Sequence, residues 1–290
     1  MTRLIVNGDD FGFTRGTNAG ILRGHVEGIL TSTTLMANGP AFANAVEIAL
    51  ANPSLGVGCH VAIVDGPAVS PAAEIPSLLG GDGRLPGSVV ELTRKLGRSI
   101  RIRDVEREMS AQVQKVVDAG ISPSHLDTHK HAHIHPKILA ALLSVASDFG
   151  IRRIRKPFEI IGPTITGPAA RSQRKVHLKQ WASSVATLSM APYFNRTVSR
   201  KGILTPDRFY GIALTGLMDA DAIISLLRAT GGAGTVELMC HPGIHDGELD
   251  RAHTRLKESR EVELAALLED GVRREIIDRG ISLIDYRALQ

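Results

Sequence analysis

Two adjacent carboxylates, Asp9 and Asp10, close the apolar run Leu4-Ile5-Val6 within Asn7-Gly8-Asp9-Asp10-Phe11-Gly12. Successive side chains on a strand point to opposite faces, so both acids serve one site only where the chain turns. Gly8 and Gly12 permit such a turn. An ordinary Asp-Gly surface turn would look the same in isolation. Histidines placed in the same way elsewhere weigh against that plain reading. Val57-Gly58-Cys59-His60 ends an apolar run on His60, and Thr235 to Cys240 leads into His241-Pro242-Gly243. Five of the eleven histidines, His125, His129, His131, His133 and His135, lie between Ser124 and Pro136. Four strand ends therefore present Asp or His, and imidazole nitrogen with carboxylate oxygen is a donor set for borderline divalent metals.

Five motifs occur in a fixed order: Asn-Gly-Asp-Asp-Phe-Gly at 7–12, Thr31 to Met36, Gly58-Cys59-His60, Asp127-Thr128-His129-Lys130-His131-Ala132-His133, and His241-Pro242-Gly243. In this the chain resembles the YdjC-like carbohydrate deacetylases from residue 3 to about residue 245, with Gly8 where that family more commonly has Ala. The resemblance implies Asp10, His60 and His129 as ligands of one divalent ion, zinc or magnesium foremost, with water completing the site. Three protein ligands and an open position are the pattern of a catalytic metal, which can polarise a carbonyl and lower the pKa of bound water to about 7. Asp9 is the candidate base for that water. His241 is the candidate acid, because an amide nitrogen must be protonated to leave. Sequence order does not say which of Asp9 and Asp10 is base and which is ligand. If the strand continues past His129, then His131 and His133 share its face and line the pocket or orient the ligands. Asp127 is expected behind the ligands.

The implied reaction is metal-dependent removal of the N-acetyl group from an N-acetylated amino sugar, releasing acetate and a free amine. Val64 to Val69 and Pro71 to Pro76 resemble the hopanoid biosynthesis-associated branch, which implies a sugar or glycolipid substrate carried on a hopanoid. A soluble chitooligosaccharide is the alternative substrate. A barrel that binds carbohydrate without turnover is the alternative class, but it need not keep both carboxylates and both ligand histidines. No Gly-x-Ser-x-Gly turn is present for a serine hydrolase, and a glycosidase using Asp9 and Asp10 would not call for the histidines.

At 290 residues with 43% hydrophobic residues the chain can bury a sizeable core. The amino terminus turns polar too early for a signal peptide, and no apolar stretch approaches a membrane span, so a cytoplasmic location is expected. Cys59 and Cys240 each precede a motif histidine and are expected to pack in the core. The net charge of +4 is unevenly spread: residues 152 to 208 carry Arg and Lys against only Glu159 and Asp207. Such a block points to an acidic partner, including an anionic membrane surface touched peripherally. With aromatic residues at 4% and no recognition motif, nucleic acid is not expected.

Strand and helix signals alternate along the chain, which predicts parallel strands joined by crossover helices. The seven or eight strands fit a single α/β domain over 1–290, and the resemblance implies a distorted (β/α) TIM-like barrel. Thr14 or Thr17 is expected to cap the first helix, and Ile102 to Ala119 reads as an amphipathic helix. The Gly- and Pro-rich stretch 65–88 is an inserted loop expected to cover the pocket, and 157–208 is a basic helical excursion. Within it, Leu178, Trp181, Val185 and Leu188 form a helical stripe that reads as core.

Overall fold

Leu4, Ile5 and Val6 are buried, so the first strand is the centre of a sheet rather than an edge. Each such aliphatic side chain contributes about 1.5–3 kcal/mol by leaving water. The computed structural model describes residues 1–162 and 164–290; Pro163, in the Gly-, Pro- and Thr-rich stretch, lies outside them. Strands β1 (Thr2–Phe11), β2 (Ser32–Leu35) and β3 (Gly56–Val61) alternate with helices α1 (Arg15–Val26) and α2 (Phe42–Ala51). After the loop come α3 (Val89–Lys95), α4 (Ile102–Asp118), β4 (Leu126–Thr128) and α5 (Pro136–Asp148). The excursion folds as α6 (Pro168–Ser172), α7 (Arg174–Thr187) and α8 (Ala191–Arg200). The chain then runs through β5 (Arg208–Tyr210), α9 (Ala220–Ala229), β6 (Gly234–Cys240), α10 (Gly247–Arg251), α11 (Glu258–Leu268), α12 (Asp270–Asp278) and β7 (Ser282–Leu283).

The strands form one sheet in the order β4-β3-β2-β1-β6-β5, every pair parallel. Because β6 pairs with β1 from Thr2 to Gly8, and β2 joins it only from Asn7, the start of β1 is free to take β7 at Arg3 and Leu4. In sequence, Arg152 to Lys156 reads as a further strand; in the structure the segment makes only single bridges, Leu126 to Ile154 and Arg153 to Leu204. These carry the curled sheet from β4 toward β5 with too few successive bonds to count as a strand, and Pro157 ends the run. The result is the distorted α/β barrel with parallel strands.

Local chemistry sets the helix positions. Thr14 caps α1, its Oγ1 accepting from the Thr17 N–H. Pro136 starts α5, where a missing N–H costs nothing. Asp219 caps α9. Cys59 and Cys240 are both buried and free. The stripe on α7 departs from expectation: Leu178 and Val185 are about 40% exposed, because the helix rests instead on His177 and Ser184. Trp181 turns inward and donates Nε1–H to the Ile161 carbonyl.

Candidate metal and catalytic site

In such a barrel the strands' carboxyl ends form the mouth. Asp9 and Asp10 end β1, His60 lies near the end of β3, His129 follows β4 and His241 follows β6. Asp10 makes the turn itself, with φ of 68°, and the pairing of β1 with β2 slips between Gly8 and Phe11. This bulge brings neighbouring carboxylates to one site. Gly12 is also left-handed, at φ 94°. Gly8 does not supply the turn: it is not among the left-handed glycines, and a Cβ there would meet Leu30 Cδ1, the movable end of a side chain, at 2.9 Å.

Asp10 Oδ1 is 3.6 Å from His60 Nε2 and 3.5 Å from His129 Nδ1, and those two nitrogens are 3.2 Å apart. Donors about 2.0–2.2 Å from a tetrahedral zinc are about 3.3–3.6 Å from one another, so the triangle has the size such an ion needs. Asp10 Oδ1 is buried and has no hydrogen-bond partner, a cost that a bound cation would remove. Asp10, His60 and His129 could therefore hold a metal ion. The nearby trio Asp9, His60 and Asp127 also has metal-like spacing, but its two carboxylates are already taken by Arg155.

Asp127 sits behind His60, its Oδ1 2.7 Å from Nδ1. This orients the ring so that Nε2 faces Asp10 and His129. Burial works against the charge on His60, yet Asp127, Asp9 and Asp10 push it up to about 9. Asp127 is held well below the carboxylate range: burial opposes this, and Arg155 and His60 outweigh it. Asp10 is likewise held low against burial, chiefly by Arg260, whose Nη2 donates to Oδ2 at 2.6 Å.

Asp9 faces a buried arginine. Arg155 Nη1 donates to Asp9 Oδ2 at 2.7 Å and Nη2 to Oδ1 at 2.6 Å, while Asn7 Nδ2 donates to Oδ1 at 2.9 Å. His241 is 13% exposed at its side chain; its backbone N–H donates to Glu263, and its Nδ1 lies 3.9 Å from Glu263 Oε2. Burial pushes His241 down to about 4 and Glu263 up to about 7.

The histidine run does not continue as a strand. Residues 129–134 form a 3-10 turn in which Lys130 and His131 are left-handed, so His129, His131 and His133 do not share one face. His133 is fully buried between Thr128 Oγ1 and the Arg155 carbonyl. His131 meets the Phe209 ring edge-on, and its Nδ1 has no partner. Lys130 pairs with Asp65 of the inserted loop. A cleft of about 520 Å³ between that loop and α10 is lined by Phe13, Asn38, Asp65, Arg84, Arg251 and His253, among others.

Sequence reasoning missed Arg155 and Arg260. Arg155 falls within the basic block for which the sequence predicts an acidic partner; it is instead fully buried among acids. Its place at the end of a predicted strand was the same signal that singled out the acids and histidines. Arg260 falls in helical phase with Leu256, Leu264 and Leu267, on the buried side of α11. A charge in phase with a leucine stripe was its signal.

Residues 3–278 match the pattern described as "YdjC-like protein". The chain belongs to the YdjC-like family. This YdjC-like chain is 34% identical over 283 residues to a carbohydrate deacetylase of Geobacillus stearothermophilus, covering 98% of this chain and 96% of that one. It is 31% identical to a carbohydrate deacetylase of Brevibacillus brevis, with 99% of each covered. The crystal structure of a proposed cellobiose-phosphate cleavage protein from Enterococcus faecalis V583 shares the fold of the YdjC-like chain. Its TM-score is 0.76 at 24% identity, with 99% of this chain and 98% of that one covered.

Proposed function

We propose that the protein is a metal-dependent carbohydrate N-deacetylase. The observation that carries this is the partnerless Asp10 Oδ1 facing His60 Nε2 and His129 Nδ1, with a second carboxylate, Asp9, on the adjacent residue. The full-length likeness to carbohydrate deacetylases supplies the substrate class. Asp10, His60 and His129 would hold the ion, which supplies a polarised carbonyl and a water that is acidic near neutral pH. Asp9 accepts the proton of the attacking water, the C–N bond breaks, and the leaving nitrogen takes a proton from His241. Acetate and a free amine result. Glu263 holds the His241 backbone in place, its Oε2 accepting the His241 N–H and lying 3.9 Å from the ring Nδ1. Asp127 keeps His60 in the tautomer that presents Nε2.

Acetate release is the test, measured on protein stripped of metal and then reloaded with zinc or magnesium. The substrates are a soluble chitooligosaccharide and an N-acetylglucosaminyl lipid. Release should depend on metal. Asp9→Asn should lower kcat about 100-fold or more while binding metal normally, whereas His60→Ala should lose the metal. Metal-independent release, or full activity in Asp9→Asn, would overturn the reading.

A lipid-linked sugar, as in the hopanoid-associated branch, is favoured over a soluble one by the surface of the excursion. Residues 160–206 contain no Asp or Glu but include Arg174, Lys175, Lys179, Arg196 and Arg200. Leu178, Val185 and Tyr193 are exposed among them. Apolar groups within a basic field suit an anionic bilayer. No helix among the described residues is long and apolar enough to cross a membrane, so contact would be peripheral. Lys179→Glu with Leu178→Ser should reduce sedimentation with phosphatidylglycerol vesicles several-fold; unchanged sedimentation would remove the argument for lipid.

A further inference from the structure

Arg155 has five N–H donors, and each faces an acid. Nε lies 2.8 Å from Glu237 Oε1, and Nη2 lies 2.8 Å from that oxygen and 2.6 Å from Asp9 Oδ1. Nη1 lies 2.7 Å from Asp9 Oδ2 and 2.5 Å from Asp127 Oδ2. No donor remains for a substrate, so Arg155 acts only on the carboxylates around it. One edge of the planar group rests on Glu237 and the adjoining edge carries Asp9. Nη2 is common to both edges, so Glu237 and Asp9 hold the same guanidinium nitrogen.

Glu237 lies inside β6, and its second oxygen accepts from the Tyr286 hydroxyl. Tyr286 belongs to a 3-10 turn at 286–288, and its ring stacks on His125 at 3.5 Å and 6°. Arg155, Glu237 and Tyr286 are all fully buried. Neutralising Arg155 does not explain Glu237, because Asp9 and Asp127 already give one guanidinium two carboxylates. A third buried acid adds a desolvation cost, which leaves geometry as its use.

We propose that Glu237 and Tyr286 are positioning residues for Asp9, acting through Arg155. Tyr286 fixes Glu237, Glu237 fixes the rotation of the guanidinium, and the guanidinium aims the Asp9 carboxylate. This rests on the reading of Asp9 as the base. It adds that the support of the base extends to the last five residues of the chain.

The test combines two measurements on the full chain loaded with zinc alone. The first follows hydrogen exchange of the Arg155 Nε–H by side-chain 1H–15N spectra, which needs no turnover. Glu237→Gln should speed that exchange tenfold or more, and Tyr286→Phe, which keeps the stack on His125, should speed it several-fold. The second is acetate release from a chitooligosaccharide. We expect kcat to fall ten- to hundredfold in Glu237→Gln and three- to tenfold in Tyr286→Phe, with KM within twofold in both. The double variant should match Glu237→Gln alone, since Tyr286 acts through Glu237. Unchanged exchange overturns the proposal, as does a kcat within twofold of wild type or an effect confined to KM. If wild type releases no acetate, the deacetylase reading fails, and the exchange rates still report whether Glu237 and Tyr286 orient Arg155.

Discussion

Glu159 shows how one buried residue makes the stability of the whole chain depend on pH. Its two oxygens accept the backbone N–H groups of Gly211 and Ala213 just after β5. Burial nevertheless pushes its pKa up to about 7, against the hydrogen bonds that lower it. A carboxyl raised on folding binds its proton more tightly in the native state. Its contribution is complete below the unfolded value and is lost as pH rises through about 7. The stability of wild type relative to Glu159→Gln should therefore fall between about pH 4.5 and 7 and stay level above that. Urea unfolding of both proteins at pH 5, 6, 7 and 8 measures it; a constant difference would mean that Glu159 is ionised throughout. Asp104 has the opposite sign. Burial raises it, but the bonds from Ser77 and the charge of Arg101 hold it low, so its contribution is lost on acidification.

The elements matter here mainly through the backbone approaches they allow. A Cβ on Gly20 of α1 would lie 2.4 Å from the Gly243 Cα, and one on Gly16 would lie 2.2 Å from the Ile244 carbonyl oxygen. The loop that carries His241 is thus laid directly on α1. Gly20→Ala should push that loop outward, destabilise the fold by about 1–3 kcal/mol through overpacking, and lower kcat more than a core substitution of equal cost in α5. Paired melting and acetate-release measurements on Gly20→Ala and Leu142→Val make the comparison. Much of this scale could be read from the sequence. Alternating apolar runs, the Thr14 and Asp219 caps and Pro136 fall where propensity and burial agree. The His129 turn could not be read, because Lys130 and His131 adopt left-handed angles that local propensity disfavours and tertiary packing imposes. The exposure of Leu178 and Val185 was hidden for a related reason: a helical stripe shows which residues are together, not which side the core lies on. Arg155 and Arg260 were legible in position but not in role, since only the fold shows that acids surround them.

At the scale of the molecule, the last residues complete the first strand. Tyr286 and Leu289 pack on Ile5, and the Ile284 N–H donates to the Leu4 carbonyl. Removing residues 281–290 takes away buried Ile281, Tyr286 and Leu289 at about 1.5–3 kcal/mol each. That sum is comparable to the whole stability of a typical domain, about 5–15 kcal/mol. The truncated chain should show no cooperative thermal transition by circular dichroism, whereas Tyr286→Phe should keep one.

The central place of β1 has a consequence for how the protein is made. The strand that carries Asp9 and Asp10 leaves the ribosome well before the partner along most of its length, β6, which begins at Gly234. At about 5–20 residues per second, the apolar edge of β1 waits roughly 10–50 s for that partner. During this interval Leu4, Ile5 and Val6 offer an unpaired strand to any other nascent chain. Yield in a cell should then depend on chaperone capacity during synthesis more than on the stability of the finished barrel.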